Sequence, residues 1–214
     1  MYIQITTRCN MTCEHCCYAC NMNGEDMSMA TFKKVMELCE CSNISLGGGE
    51  PTLHPNFWEM LGISIGVCDG VWLATNGSTT DTALALAKMA SKGVIGCALS
   101  QDPWHDEIDE RVVKAFTPNH KRASYVGYNE NNEDHREIRN VSNSDMAPWR
   151  DPEDGGAEGN CPCDTIMTRP SGDVFACGCV DAPKIGNVND GFELPDEWNW
   201  GMCYREQECL TQNA

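Results

Sequence analysis

The sequence predicts an α/β fold built on a parallel sheet. Short β-like segments alternate with segments whose apolar residues recur at helical spacing, and short loops join them. This alternation implies right-handed crossovers between parallel strands, so the carboxyl ends of the strands share one edge of the sheet. The cysteine-rich and polar motifs follow those strand ends, where ligands collect in folds of this kind.

The elements are assigned in chain order from these patterns. The first strand covers residues 2–6, and Ser28 is predicted to cap a helix that ends near Cys39. The apolar positions of that helix recur on one side and are Met29, Phe32, Val35 and Met36. The remaining predicted strands cover residues 43–46, 71–75, 94–99, 124–128 and 137–141. The remaining predicted helices cover residues 56–65, 80–91 and 107–116.

The C-terminal third has a different character. Residues 129–160 are rich in Asn, Asp, Glu, Gly and Ser and are predicted to form a long connection. Beyond it, the runs 165–169 and 174–179 flank a Pro-Ser-Gly-Asp turn and predict a β-hairpin, with a short helix near 193–200. We therefore expect two domains, residues 1–150 and residues 151–214, the second a small cysteine-rich hairpin and helix extension.

Composition restricts the class of protein. Fifteen cysteines in 214 residues would suit a disulfide scaffold in a short secreted chain, but this chain is long. It shows neither a basic and then apolar leader nor a run of about 18 apolar residues. We expect a cytoplasmic, oxygen-sensitive protein whose thiols bind metal and which has no membrane contact. The net charge of −17, with scattered basic residues, argues against a long nucleic acid as substrate.

Cys9, Cys13 and Cys16 form the most informative motif. They are spaced Cys-x3-Cys-x2-Cys directly after the first strand. Three thiolates can hold three irons of a [4Fe–4S] cube and leave the fourth iron open, whereas closed cluster and zinc sites use four ligands. Because ligation by Cys17 or Cys20 would close that vacancy, we interpret both as spare thiols.

Two further motifs accompany the cysteines. Gly47-Gly48-Gly49-Glu50-Pro51 follows the second strand, and Leu73-Ala74-Thr75-Asn76-Gly77 closes the third. In spacing and order the three motifs resemble the radical S-adenosylmethionine (radical SAM) superfamily. The resemblance implies a compact partial (β/α)6 TIM-like barrel and a [4Fe–4S] cluster whose open iron binds SAM. An electron from a flavodoxin- or ferredoxin-type reductant then breaks the sulfonium and gives a 5′-deoxyadenosyl radical.

The resemblance also implies residue roles. The backbone of Gly48 and Gly49 and the carboxylate of Glu50 would meet the SAM ammonium, since glycine permits close approach and a carboxylate suits a cation. His15 occupies the position of an aromatic ring against adenine, or else is a surface histidine. Asn76 and Ser100 would face the ribose and carboxylate of SAM, although each could instead cap the next helix. The carboxylate partner stays open between Arg122 and Arg136, and His105 could reach substrate.

The tail resembles the auxiliary-cluster extension called SPASM or, when shorter, twitch. That resemblance implies one auxiliary [4Fe–4S] cluster on Cys161, Cys177, Cys203 and Cys209. A compact set of Cys161, Cys163, Cys177 and Cys179 is the alternative, and the same thiols could hold zinc.

The resemblance implies an enzyme that abstracts hydrogen from a substrate, and modification or crosslinking of a peptide is the leading hypothesis. A small-molecule or carbohydrate-type dehydrogenase is the alternative enzyme. A non-catalytic iron–sulfur electron carrier is the alternative of a different class. The Gly-Gly-Gly-Glu-Pro run favours an enzyme, because a carrier has no need of an ammonium-binding strand end.

Overall fold

Strands and helices alternate along the first part of the chain. The computed structural model describes residues 1–14, 16, 18–39, 42–117, 134–139, 166–178 and 182–194. The first five strands are β1 (Tyr2–Thr6), β2 (Asn43–Gly48), β3 (Gly70–Thr75), β4 (Gly96–Ser100) and β5 (Arg136–Arg139). The helices are α1 (Met29–Glu37), α2 (Phe57–Val67), α3 (Thr80–Ala90) and α4 (Glu110–Phe116). Three short strands follow, β6 (Met167–Thr168), β7 (Asp173–Phe175) and β8 (Lys184–Asn187).

The described strands form one sheet in the order β5-β4-β3-β2-β1-β6-β7-β8. Strands β1 to β5 are parallel and lie in chain order. A parallel sheet whose order never reverses keeps its crossover helices on one face, as in a (β/α) barrel and unlike a doubly wound sheet. The predicted α/β fold with a partial TIM-like barrel is therefore confirmed.

The strand beside β4 differs from the expectation. The predicted strand 124–128 lies outside the described residues, and its expected place next to β4 is taken by β5. β5 corresponds to the predicted strand 137–141 and begins one residue earlier. Its register sets Arg139 opposite Ser100 and Arg136 opposite Cys97.

The predicted C-terminal hairpin is present and continues the barrel sheet. β6 pairs in parallel with β1, with Tyr2 opposite Met167, and β7 pairs antiparallel with β6 and β8. The expected domain boundary at 150/151 and residues 195–200 of the predicted helix lie outside the described residues. The division into two domains stays a prediction.

Capping side chains explain where two helices begin. Ser28 accepts a hydrogen bond from the backbone N–H of Thr31 at 3.0 Å, which confirms the predicted cap of α1. α4 begins at Glu110, not near 107 as expected, because Asp109 caps it by accepting from the N–H of Arg111 at 2.8 Å. Glu107 and Ile108 are left free to line a cavity beside the helix.

The apolar core lies between the sheet and the helices. Alternate residues of each barrel strand point to opposite faces, and one set packs against the helices. This set includes Ile3, Ile5, Leu46, Leu73 and Leu99, which pack with Phe32, Leu61, Leu86 and Val112. The other set faces the barrel interior and supplies the candidate site. Among the described residues, no helix has the length and apolarity needed to span a bilayer.

Candidate functional site

The cysteine motif lies in a loop that leaves the carboxyl end of β1. The loop is held by hydrogen bonds from the N–H of Cys9 to the carbonyl of Asn21 at 3.1 Å and from the N–H of Cys16 to the carbonyl of Cys13 at 3.0 Å. The three thiols are partly buried. Together they line a cavity of about 250 Å³.

The glycine run brings the end of β2 against this loop. The N–H of Gly49 donates to the carbonyl of Thr6 at 2.9 Å, and the N–H of Glu50 donates to the carbonyl of Arg8 at 2.8 Å. A Cβ atom on Gly49 would lie 2.8 Å from the Cβ of Cys9, and one on Gly48 would lie 2.9 Å from a methyl of Thr6. The glycines are therefore needed for close approach to the cysteine loop itself, since side chains would push the two segments apart.

Glu50 is buried in the cavity wall, with 1% of its surface exposed. Its Oε1 accepts from the hydroxyl of Thr75 at 2.9 Å and from the hydroxyl and N–H of Thr52 at 2.6 and 3.2 Å. Its Oε2 accepts from the N–H of Asn76 at 2.6 Å. Burial raises the pKa of Glu50, and these hydrogen bonds oppose the shift.

Asn76 connects the end of β3 to the cysteine loop. Its side-chain amide donates to Asn10 Oδ1 at 3.0 Å and lies 4.0 Å from the sulfur of Cys9. Its Oδ1 accepts from the N–H of Ser78 at 3.0 Å, which makes a local turn. Because Thr79, not Asn76, is the N-cap residue of α3, the alternative of Asn76 as a helix cap is wrong.

Ser100 and Arg139 extend the same cavity wall across β4 and β5. Arg136, one of the two expected carboxylate partners, lies at the other end of β5. Its guanidinium binds both carboxylate oxygens of Asp134, at 2.8 and 2.6 Å, and donates to the carbonyl of Ala115 at 2.6 Å. Arg136 therefore ties β5 to α4 and does not line the cavity. Of the two residues left open as partners of the SAM carboxylate, Arg136 thus lies away from the cavity, and Arg122 lies outside the described residues.

Cys20, interpreted from sequence as a spare thiol, is a buried part of the cavity wall. Hydrogen bonding from the Cys20 thiol lowers the pKa of Cys16 to about 5, with further donation from the N–H groups of Cys20, Tyr18 and Ala19. Ala19 has a φ of 48°, in the left-handed region that non-glycine residues rarely adopt. By contrast, burial raises the pKa of Cys9, and raises that of Cys13 to about 11.

A second cavity of about 550 Å³ lies beside the first, and Asn76, Ser100 and His105 line both. His105 Nδ1 lies 2.8 Å from Asp102 Oδ1, and the Asp102 side chain is fully buried. This contact orients the His105 ring towards the side chain of Asp102. Four carboxylates, Asp102, Asp106, Glu107 and Glu110, line this cavity together with Lys114, which pairs with Glu110 at 3.0 Å.

Several predicted ligands lie outside the described residues. These are His15, Cys161, Cys163, Cys179, Cys203 and Cys209. Cys177 is described and is buried just after β7. The next residue, Gly178, accepts a hydrogen bond from the hydroxyl of Tyr18, so the hairpin contacts the cysteine loop.

Sequence reasoning did not place Arg139 or Cys20 in the site, and both line the cavity. Period-two alternation around apolar Ile138 indicates that Arg139 lies on the opposite face of the strand from Ile138. Which of the two faces points into the cavity is decided only by the register of β5 against β4. Cys20 had no sequence signal beyond its position four residues after Cys16, because its burial depends on the turn at Ala19.

Comparison with known proteins gives matches in the barrel region. The family model described as the radical SAM superfamily matches residues 3–127. Mycofactocin maturase of Mycolicibacterium smegmatis is 27% identical over 113 residues, which cover 51% of this chain and 29% of that protein. The tungsten-containing aldehyde ferredoxin oxidoreductase cofactor-modifying protein of Pyrococcus furiosus is 35% identical over 107 residues, which cover 44% of this chain and 28% of that protein. The matched region thus spans less than a third of either curated relative.

A solved structure is also similar. The crystal structure of Streptococcus suis SuiB bound to S-adenosylmethionine superposes with a TM-score of 0.45 at 13% identity, covering 91% of this chain and 65% of that chain.

Proposed function

Because the chain belongs to the radical SAM superfamily, we propose that it cleaves SAM at a [4Fe–4S] cluster held by Cys9, Cys13 and Cys16. The observation that carries this proposal is a single cavity of about 250 Å³ lined by the three thiols, the glycine run, Glu50, Asn76, Ser100 and Arg139. The proposed cluster ligands and the proposed ammonium-binding carboxylate thus line the same cavity.

The donor set fits a cluster better than a single ion. Among the described residues, no three His, Cys, Asp or Glu side chains converge as one metal ion requires. A cube spreads its thiolate ligands over separate irons, so it needs no such convergence. When bound, the cluster supplies the electron that breaks the sulfonium of SAM.

The chain's own residues would hold SAM by charge. Glu50 and the backbone of Gly48 and Gly49 would bind the ammonium, and the Arg139 guanidinium would bind the carboxylate, since charge-assisted pairs are the stronger hydrogen bonds. Asn76 and Ser100 would contact the ribose. His15 is proposed to stack on adenine.

The proposed reaction is hydrogen abstraction from a substrate in the second cavity. Modification of a peptide is the proposed outcome, and a flavodoxin- or ferredoxin-type protein is the proposed reductant. The names of the two curated relatives, a maturase and a cofactor-modifying protein, support modification of another molecule.

An auxiliary [4Fe–4S] cluster on Cys161, Cys177, Cys203 and Cys209 is part of the proposal, in a C-terminal extension of residues 151–214. Burial of Cys177 beside a strand end suits a structural ligand. Iron analysis of a variant with Cys9, Cys13 and Cys16 replaced by Ala should find about four irons remaining. Zinc, or no metal, in that variant would remove the auxiliary cluster from the proposal.

An electron carrier with a closed cluster is the second candidate function. It is favoured by Cys20, a fourth thiol in the wall of the same cavity. A carrier would keep its iron and its redox activity but would not consume SAM.

Anaerobic reconstitution with iron and sulfide, followed by SAM and dithionite, separates the two. The enzyme forms 5′-deoxyadenosine and methionine, and the triple alanine variant forms neither. A fully loaded wild-type protein that forms no 5′-deoxyadenosine would leave the carrier as the better account.

A further inference from the structure

We infer that Thr75 is a positioning residue for SAM binding, and that with Thr52 it fixes the Glu50 carboxylate so that Oε2 receives the cationic group of SAM. This inference rests on the proposed SAM site and assigns the roles of the two oxygens within it.

The first step is the saturation of Oε1. It accepts three hydrogen bonds, from the Thr75 hydroxyl and from the hydroxyl and N–H of Thr52. A carboxylate oxygen offers about two lone-pair directions, so Oε1 has no capacity left for a ligand.

The second step is the direction of the Thr75 proton. The Thr75 hydroxyl accepts from the N–H of Gly77 at 3.1 Å, and it has one proton to give. That proton therefore goes to Glu50 Oε1, 2.9 Å away. Thr75 is itself buried, so water does not compete for the bond.

The third step is the state of Oε2. Its hydrogen bond from the N–H of Asn76, at 2.6 Å, takes one of two acceptor directions. Oε2 thus keeps one direction for a donor, in a residue that lines the cavity. The same Asn76 contacts Asn10 through its side chain, so the orientation of Glu50 is linked to the cysteine loop.

The test compares Thr75→Val, which removes the hydroxyl at nearly constant volume, with Thr75→Ser, which keeps it. The cluster is reconstituted anaerobically in each variant and SAM is titrated without reductant, so that binding is read without turnover. Thr75→Val should weaken SAM binding about tenfold, and Thr75→Ser should stay within about twofold of the wild type.

A double-mutant cycle separates positioning from a general structural loss. In a Glu50→Gln background, Thr75→Val should have almost no further effect on SAM affinity, because the carboxylate it orients is gone. Equal losses in both backgrounds would show that Thr75 acts only on stability and would overturn the inference. If Thr75→Val does not fold, Thr52→Val enters the same cycle with the same expectation.

The outcomes also separate this inference from the proposed function. Failure of the reconstituted wild type to bind SAM overturns both. Wild-type binding of SAM with an unchanged affinity in Thr75→Val overturns the positioning role alone.

Discussion

The close approach of Gly49 to the cysteine loop predicts opposite effects for the same substitution at two glycines. In Gly49→Ala the new methyl would lie 2.8 Å from the Cβ of Cys9 and 2.8 Å from the carbonyl carbon of Arg8. Backbone atoms cannot rotate away, so the end of β2 and the loop must separate. Overpacking of this kind costs about 1–3 kcal/mol in the free energy of unfolding.

Gly62→Ala is the matched control. Gly62 lies inside α2, and an added Cβ there has nothing within 4 Å. Only backbone entropy and helix propensity change, and both favour alanine by about 0.5–1 kcal/mol. The two variants differ by one methyl each, so their comparison isolates the contact with the loop.

Thermal unfolding of the metal-free proteins measures both effects. At about 2–4 °C per kcal/mol for a chain of this size, Gly49→Ala should lower Tm by about 2–12 °C and Gly62→Ala should raise it by about 1–4 °C. Gly49→Ala should also hold less iron after reconstitution, since Cys9 is displaced. An unchanged Tm and full iron loading in Gly49→Ala would refute the claim that the glycine run positions the cysteine loop.

Two other predictions concern charged pairs. Arg139→Gln should weaken SAM binding about tenfold or more in an anaerobic titration. Arg136→Gln should leave the SAM affinity unchanged but lower the free energy of unfolding by about 1.5–3 kcal/mol, because it loses the bonds to Asp134 and Ala115. The reverse pattern would contradict the register of β5. Hydrogen bonding from Lys184 lowers the pKa of Asp173. The ion pair therefore stabilises the pairing of β7 with β8 fully at pH values above the ordinary aspartate pKa. This stabilisation is lost as the pH falls through the lowered pKa. For this partly exposed pair the contribution is below about 1 kcal/mol, and Asp173→Asn should unfold like the wild type in acid but more easily at neutral pH.

Much of the fold could be read from local patterns. The β-like run of residues 2–6 predicted β1, and Ser28 marked the start of α1, because strand pattern and capping are properties of neighbouring residues. The convergence of the motifs on one cavity followed from their common position at strand ends.

Features that depend on distant pairing could not be read in this way. Nothing near Glu50 signals that Thr75, 25 residues later, donates to its carboxylate. The roles of Arg136 and Arg139 differ only through the register against β4, since a one-residue slip exchanges the two faces of a strand. The parallel pairing of β6 with β1 joins segments 165 residues apart, with Tyr2 opposite Met167.

The most direct test of the open iron is the electron paramagnetic resonance spectrum of the reduced, reconstituted protein with and without SAM. A SAM-dependent change in the g values is predicted for the wild type and for Cys20→Ala, because SAM binds the iron that Cys9, Cys13 and Cys16 leave open. A spectrum that SAM does not alter in the wild type but does alter in Cys20→Ala would show that Cys20 closes the cube. A spectrum unaltered by SAM in both proteins would contradict the open site altogether.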